Sequence, residues 1–97
     1  MSDKEQILQT LKEHRKELEE RYSIRKIGIF GSYAKGCADE SSDIDIYAEF
    51  DTPKFRNIAG AWNKLENLLG KKVDMFYPHK NMRESLYQNI QREVVFG

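Results

Sequence analysis

A glycine-serine turn followed by two closely spaced aspartates constrains this chain more than any other feature. An apolar run ends at Gly31 and Ser32, and after ten intervening residues a second apolar run begins with Asp43 and Asp45 separated by one residue. Alternate residues of a strand project to the same face, so both carboxylates point one way and the isoleucines between and after them point towards a core. A small turn opposite two parallel carboxylates predicts a site for a phosphate chain and a divalent metal ion.

The acids around this pair support a metal site. The segment from Asp39 to Asp51 contains six acids and no lysine or arginine. Asp43 and Asp45 repel each other unless a cation lies between them or one stays protonated. Hard oxygen ligands favour Mg²⁺, which usually completes its shell with water and substrate phosphates, so a phosphorylated substrate is expected.

Asp74 is a third candidate, because it interrupts an otherwise apolar strand and is costly to bury without a partner. If this strand lies beside the strand that carries Asp45, Asp74 joins the same metal centre or takes the proton from an attacking hydroxyl. Gly31 lets the backbone approach a phosphate, and Ser32 offers a hydroxyl and an amide. The alternative for the three acids is a solvated strand face that only aids solubility.

Two other motifs with similar residues are excluded by spacing. Gly31 and Gly36 have the separation of the two P-loop glycines, but Cys37 and Ala38 stand where that loop requires Lys and Ser or Thr. A calcium-binding EF-hand loop starting at Asp43 would need glycine at its sixth position and glutamate at its twelfth, where this chain has alanine and lysine.

Hydrophobic periodicity and turn residues predict alternating helices and strands. Helices are expected over 3–20, 53–69 and 82–92, a single helical turn over 33–35, strands over 24–30, 43–50 and 73–77, and a short strand or packed tail over 94–96. Ser2, Thr52 and Asn81 are the expected N-caps of the three long helices. Such helices can cover one face of a small sheet and leave the other open for function.

Composition limits the class of protein. Ninety-seven residues with 39% hydrophobic and 33% charged side chains indicate one soluble domain, residues 1–97. Sixteen basic residues balance sixteen acidic ones, so nucleic acid is not expected as the main partner. Cys37 is the only cysteine, which leaves no intrachain disulfide. Without an apolar run of ~20 residues or a signal sequence, no membrane association and a cytoplasmic location are expected.

Gly31-Ser32, ten residues and then Asp43-x-Asp45 resembles the signature of the minimal nucleotidyltransferases, within the polymerase-β-like nucleotidyltransferase superfamily. The likeness extends to the apolar strand before the turn, to Ala34 and Gly36 after it, and to the later strand that contains Asp74. It spans about residues 24–77.

The resemblance implies an α+β fold, in which a small mixed β-sheet has its helices packed mainly on one face. It also implies a magnesium-dependent enzyme with two metal ions and a nucleoside triphosphate substrate. By position, Asp43 and Asp45 would be catalytic metal ligands and Asp74 the third catalytic and metal-binding carboxylate. Gly31 and Ser32 would contact the triphosphate.

Small members of this family act as MntA-like antitoxins in HEPN–MNT toxin–antitoxin pairs. The resemblance therefore implies transfer of AMP from ATP to a tyrosine of a HEPN-type partner encoded nearby. Two alternatives stay open: an antitoxin with weak or no catalysis that occludes its partner, and a transferase acting on a small molecule or RNA. Because no acceptor-binding domain is visible, the core is expected to need a partner, a protein substrate or another copy of itself.

Overall fold

The computed structural model describes residues 3–97, and within this range the chain forms four helices and four strands. In chain order they are α1 (Asp3–Tyr22), β1 (Ile24–Phe30), α2 (Gly31–Lys35), β2 (Ile44–Phe50), α3 (Phe55–Leu69), β3 (Val73–Phe76), α4 (Glu84–Glu93) and β4 (Val95–Phe96). Every predicted helix and strand is present, with shifts at the ends. The expected cap Ser2 lies outside the described residues.

The strands form one mixed sheet in the order β3-β2-β1-β4. β1 pairs antiparallel with both β2 and β4, whereas β2 pairs parallel with β3. Parallel neighbours need a crossover connection, and α3 supplies it between β2 and β3. Gly70 ends α3 in the left-handed conformation at φ 66°, as the sequence predicts. The α+β class with a small mixed sheet is therefore confirmed.

The main core lies between one face of the sheet and helices α1 and α3. Alternating residues of the strands point into it, and their aliphatic side chains are almost completely buried. Its members include Ile7, Leu11, Leu18, Ile27, Ile29, Ile44, Ile46, Ala48, Ala61, Leu65 and Val73. None of the helices between residues 3 and 97 has both the length and the apolar composition needed to traverse a bilayer.

The second face of the sheet is only partly open, which corrects the expectation of a free face. Helix α4 packs on it through Ile90, which forms a small second cluster with Phe30 and Tyr47. The apolar face that α4 packs on the sheet is correspondingly narrow, since Ile90 is its buried residue and Leu86 is 38% exposed. Helices α1 and α3 still make the larger cover, so most helical packing is on one face.

The predicted N-caps Thr52 and Asn81 are wrong. α3 follows Lys54 and α4 follows Arg83, and among residues 3–97 no side chain provides either helix with a capping hydrogen bond. Thr52 is instead held in the preceding turn, where its backbone N–H donates to the Ser23 hydroxyl at 2.8 Å. This hydrogen bond fixes the backbone of Thr52 in the turn, two residues before the N-cap position of α3.

Gly28 provides a test of how closely the C-terminal segment approaches the sheet. A Cβ atom at this position would lie 2.6 Å from the Val95 carbonyl oxygen, 2.8 Å from Val94 Cγ2 and 2.9 Å from Phe96 Cα. Gly28→Ala should lower the free energy of unfolding by about 1–3 kcal/mol, measured by urea denaturation. Adding Val94→Ala should recover only a minor part, because the other two contacts are with backbone. Full recovery would contradict this explanation.

Candidate active site

Asp45 and Asp74 face each other across the parallel pair formed by β2 and β3. The register pairs Asp45 with Asp74, and on its other side Asp45 pairs with Phe30 at the end of β1. Paired residues project to the same side of a sheet, so these two carboxylates lie on the face opposite the main core. We call this the acidic face, defined by Asp43, Asp45 and Asp74. Asp45 is partly buried and Asp74 is exposed.

Asp43 lies one residue before β2 and two before Asp45, so strand alternation places it on the acidic face. The electrostatics support this placement. Burial raises the pKa of Asp45 above its ordinary value of 3.8, and the negative charges of Asp74 and Asp43 raise this pKa further. The carboxylates of Asp74 and Asp43 are therefore near enough to Asp45 for their charges to act on it.

The glycine-serine turn lies directly against Asp45. Gly31 is the first residue of α2 and has φ +70°, a conformation that favours glycine. A Cβ atom on Gly31 would collide with the Asp45 Oδ2 atom. Ser32 follows, partly exposed, and its carbonyl oxygen accepts a hydrogen bond from the Cys37 N–H at 3.0 Å. The structure thus brings the turn and the acidic pair together, and requires glycine at their contact.

Two side chains of α3 hold the start of β3 in place. The Trp62 indole N–H donates to the Val73 carbonyl oxygen at 2.7 Å, and the Val73 N–H donates to Glu66 Oε2 at 2.9 Å. These bonds satisfy the backbone N–H and C=O groups of Val73 on the outer side of β3, which has no neighbouring strand in the sheet. Because Asp74 follows Val73 directly, the same two hydrogen bonds also hold the backbone of the third acid in position. Neither Trp62 nor Glu66 was predicted from the sequence as part of the site, although their i, i+4 spacing places them on one helix face.

Further along β2, Tyr47 and Glu49 also project from the acidic face, but they take part in a structural network. The Tyr47 hydroxyl donates to Glu49 Oε2 at 2.8 Å, and Arg25 Nη2 lies 2.8 Å from Glu49 Oε1. Burial raises the pKa of Tyr47, and the Glu49 carboxylate raises it further. Burial opposes ionisation of Glu49, yet hydrogen bonds from Arg25 and Tyr47 hold its pKa below the usual value. The Arg25 guanidinium group is thus engaged by Glu49.

The donor chemistry of the acidic face fits Mg²⁺, although the site is not a ready-made cage. Within residues 3–97, no three carboxylate, imidazole or thiol groups converge closely enough to enclose a metal by themselves. Mg²⁺ does not require such a cage, because it keeps waters and takes substrate phosphates as ligands. The repulsion that raises the pKa of Asp45 is one that a bound divalent cation would relieve.

This geometry agrees with the family to which the chain belongs. Residues 11–96 match the sequence profile of the nucleotidyltransferase domain, so the chain is a member of that family and a transferase of this class. It is 39% identical over 93 residues to the protein adenylyltransferase MntA of Thermococcus cleftensis, covering 95% of this chain and 93% of that protein. It is 46% identical over 71 residues to a presumptive protein adenylyltransferase of Methanocaldococcus jannaschii, covering 72% and 83%.

Solved structures show the same fold. A presumptive minimal nucleotidyltransferase superposes with a TM-score of 0.73 at 28% identity, covering 98% of this chain and 95% of that one. A toxin–antitoxin structure with AMP-PNP gives a TM-score of 0.68 at 24% identity, covering 87% and 69%. An MNT antitoxin in complex with a tri-AMPylated HEPN toxin of Shewanella oneidensis gives 0.58 at 21% identity, covering 97% and 67%. The resemblance to minimal nucleotidyltransferases is confirmed.

The support that α3 gives to β3 can be tested with Trp62→Phe. This change keeps an aromatic ring but removes the donor to the Val73 carbonyl, which should cost about 1–3 kcal/mol of unfolding free energy in urea denaturation. Asn63→Ala, at the neighbouring exposed position of α3, should change stability by less than about 0.5 kcal/mol. Equal effects of the two substitutions would show that the indole hydrogen bond contributes nothing specific.

The raised pKa of Asp45 predicts a pH-dependent gain from Asp45→Asn without divalent metal. Below the ordinary pKa of 3.8 the aspartate is protonated in both folded and unfolded chains, so asparagine should give no advantage. As pH rises through the higher folded-state pKa, the wild type loses stability relative to the variant. Thermal denaturation should therefore show a higher Tm for Asp45→Asn at pH 7. Asp51→Asn, outside the acidic face, should show no such gain; a pH-independent difference for Asp45→Asn would contradict the prediction.

Proposed function

We propose that this chain transfers AMP from ATP to a hydroxyl group of a partner protein, and that residues 1–97 form one nucleotidyltransferase domain. The observation that carries the proposal is the pairing of Asp45 with Asp74 directly beside the glycine turn at Gly31. It places three acids and a close-approach backbone within one small area. Similarity to the protein adenylyltransferase MntA along almost the whole of both chains favours a protein as the acceptor.

In this proposal each site residue has a separate role. Asp43 and Asp45 bind Mg²⁺, and Asp74 is the third ligand and the group that accepts the proton of the attacking hydroxyl. Gly31 allows the backbone to approach the triphosphate of ATP, and Ser32 contacts it with its hydroxyl or amide. Mg²⁺, with two ions expected, would neutralise phosphate charge and polarise the reacting phosphoryl group.

The transfer is a substitution at the α-phosphorus of ATP. The acceptor oxygen forms a bond to that phosphorus while the bond to the bridging oxygen of pyrophosphate breaks, and the acceptor proton passes to Asp74. Pyrophosphate leaves with the electron pair of the broken bond, and AMP stays on the acceptor. Asp74 is exposed, which suits a base that must meet a hydroxyl arriving on another molecule. The chain contributes mainly by holding the reactants and neutralising charge.

The acceptor that we propose is a tyrosine of a HEPN-type protein encoded by a neighbouring gene. Its support is the fold shared with antitoxins whose solved complexes contain a toxin, including one with an AMPylated HEPN toxin. The same fold in a complex with AMP-PNP supports ATP as the donor. The cytoplasmic location, the minor role of nucleic acid and any oligomeric state stay predictions.

Incubation with labelled ATP, Mg²⁺ and the product of the neighbouring gene tests the proposal. Wild type should label the partner, and omission of Mg²⁺ should abolish labelling. Asp43→Asn and Asp45→Asn should each reduce the rate at least about a hundredfold, because charge neutralisation at the reacting phosphate is lost. Asp51→Asn changes an acid that follows β2 and pairs with Arg25, and that is not one of the three site aspartates, so this variant should keep the wild-type rate. Unlabelled partner, with all variants behaving alike, would refute the transferase activity on that protein.

The alternatives make different predictions. An antitoxin that acts by occlusion would still protect cells when Asp43 and Asp45 are both asparagine, and the solved toxin–antitoxin complexes favour stable binding of a partner. If the double variant still forms the complex with its partner but no longer protects cells, occlusion alone does not explain protection. Transfer to a small molecule or RNA would appear as a labelled product of a different mass.

A further inference from the structure

The acidic face needs positive charge from the protein if it is to accept a nucleoside triphosphate. The negative charges of Asp74 and Asp43 already act on Asp45, and the triphosphate would bring further negative charge next to these acids. Bound metal ions would offset only part of this charge. A lysine or arginine near the acids is therefore expected to contact the phosphates.

Two lysines near the site are engaged elsewhere. Lys35, at the end of α2, forms an ion pair with Glu93 of α4, with Nζ 3.2 Å from Oε1. The Nζ atom of Lys71 lies 5.7 Å from the centroid of the Tyr33 ring, and a hydrogen bond with the Tyr33 hydroxyl raises the pKa of Lys71. Tyr33 belongs to the main core, so this contact directs Lys71 away from the acidic face.

Lys72 occupies a different position. Its carbonyl oxygen accepts a hydrogen bond from the Ile44 N–H at 3.0 Å, which carries the parallel pairing one residue before β3 and sets Lys72 beside Asp43. Val73 points into the main core and Asp74 lies on the acidic face, so strand alternation places Lys72 on the acidic face as well.

The Lys72 side chain is exposed, and within residues 3–97 it forms no ion pair. Its ammonium group is therefore not engaged by a carboxylate in this part of the chain. Lys72 lies on the β3 side of the acids, whereas Gly31 and Ser32 lie on the β1 side. Lysine suits this position because its compact charge on a long flexible stem adapts to phosphate oxygens without a fixed planar geometry.

We infer that Lys72 binds the phosphates of the nucleoside triphosphate substrate, opposite the glycine-serine turn. The inference rests on the proposed function, since it concerns the same site. Lys72 would supply a positively charged contact to the phosphates, which neither the glycine-serine turn nor the aspartates provide. Lys72 and the turn then hold the triphosphate from two sides of the acidic pair.

Binding of AMP-PNP with Mg²⁺, measured by isothermal titration calorimetry, tests the inference without any acceptor. Lys72→Met should raise the Kd about tenfold, the scale expected for loss of one charge-assisted hydrogen bond. Lys72→Arg should keep most of the affinity. Lys71→Met removes the same charge from the neighbouring position and should leave the Kd within about twofold. The effect of Lys72→Met should shrink at high salt, because screening weakens exposed charge interactions.

The outcomes separate this inference from the proposed function. If wild type binds AMP-PNP and Lys72→Met binds equally well, Lys72 is not a phosphate contact, while the proposed function stands. If Lys71→Met weakens binding as much as Lys72→Met, the effect is general electrostatics and the inference is wrong. If wild type shows no binding, both are wrong. Matching thermal denaturation curves for the variants would show that the comparison is made between folded proteins.

Discussion

The parallel pairing of β2 with β3 is the interaction on which the candidate site depends. It joins two acids that are far apart in sequence and sets their side chains on the same face of the sheet. Helix α3 makes this pairing possible because it crosses over between the two strands, and its Trp62 and Glu66 side chains bind the backbone of Val73 on the outer edge of β3. The same helix therefore supplies core packing, chain reversal and support for Asp74.

The acidic face is tolerated because the opposite face of the same strands is strongly stabilising. Ile44 and Ile46 alternate with the aspartates and are almost completely buried against α1 and α3. Their burial gives hydrophobic stabilisation of about 1.5–3 kcal/mol each, which offsets repulsion among partly exposed carboxylates. Gly31 adds a second constraint, since the close approach of the turn to Asp45 leaves no room for a Cβ atom. Placing local strain and repulsion at one site is typical of functional regions.

Most of the secondary structure could be predicted because local signals agree with tertiary packing. The stripe of Ile7, Leu11 and Leu18 predicts α1, and Gly70 marks the end of α3. The predicted helix caps were wrong because α3 and α4 each begin two residues later than the local signals indicate, and the backbone of Thr52 is held in the preceding turn by Ser23. The cover that α4 places on the second face could not be read from its sequence, since Ile90 is its only buried residue.

For the site, the sequence by itself determined the turn at Gly31, its spacing to the acidic pair, and the shared direction of Asp43 and Asp45. These follow from local backbone geometry, in which strand alternation needs no information from the rest of the chain. Only the tertiary structure decided that Asp74 lies beside Asp45, that Lys72 lies beside Asp43 and that Lys71 contacts Tyr33. Strand order and register depend on long-range packing of α3 against the sheet, and no local pattern specifies that packing.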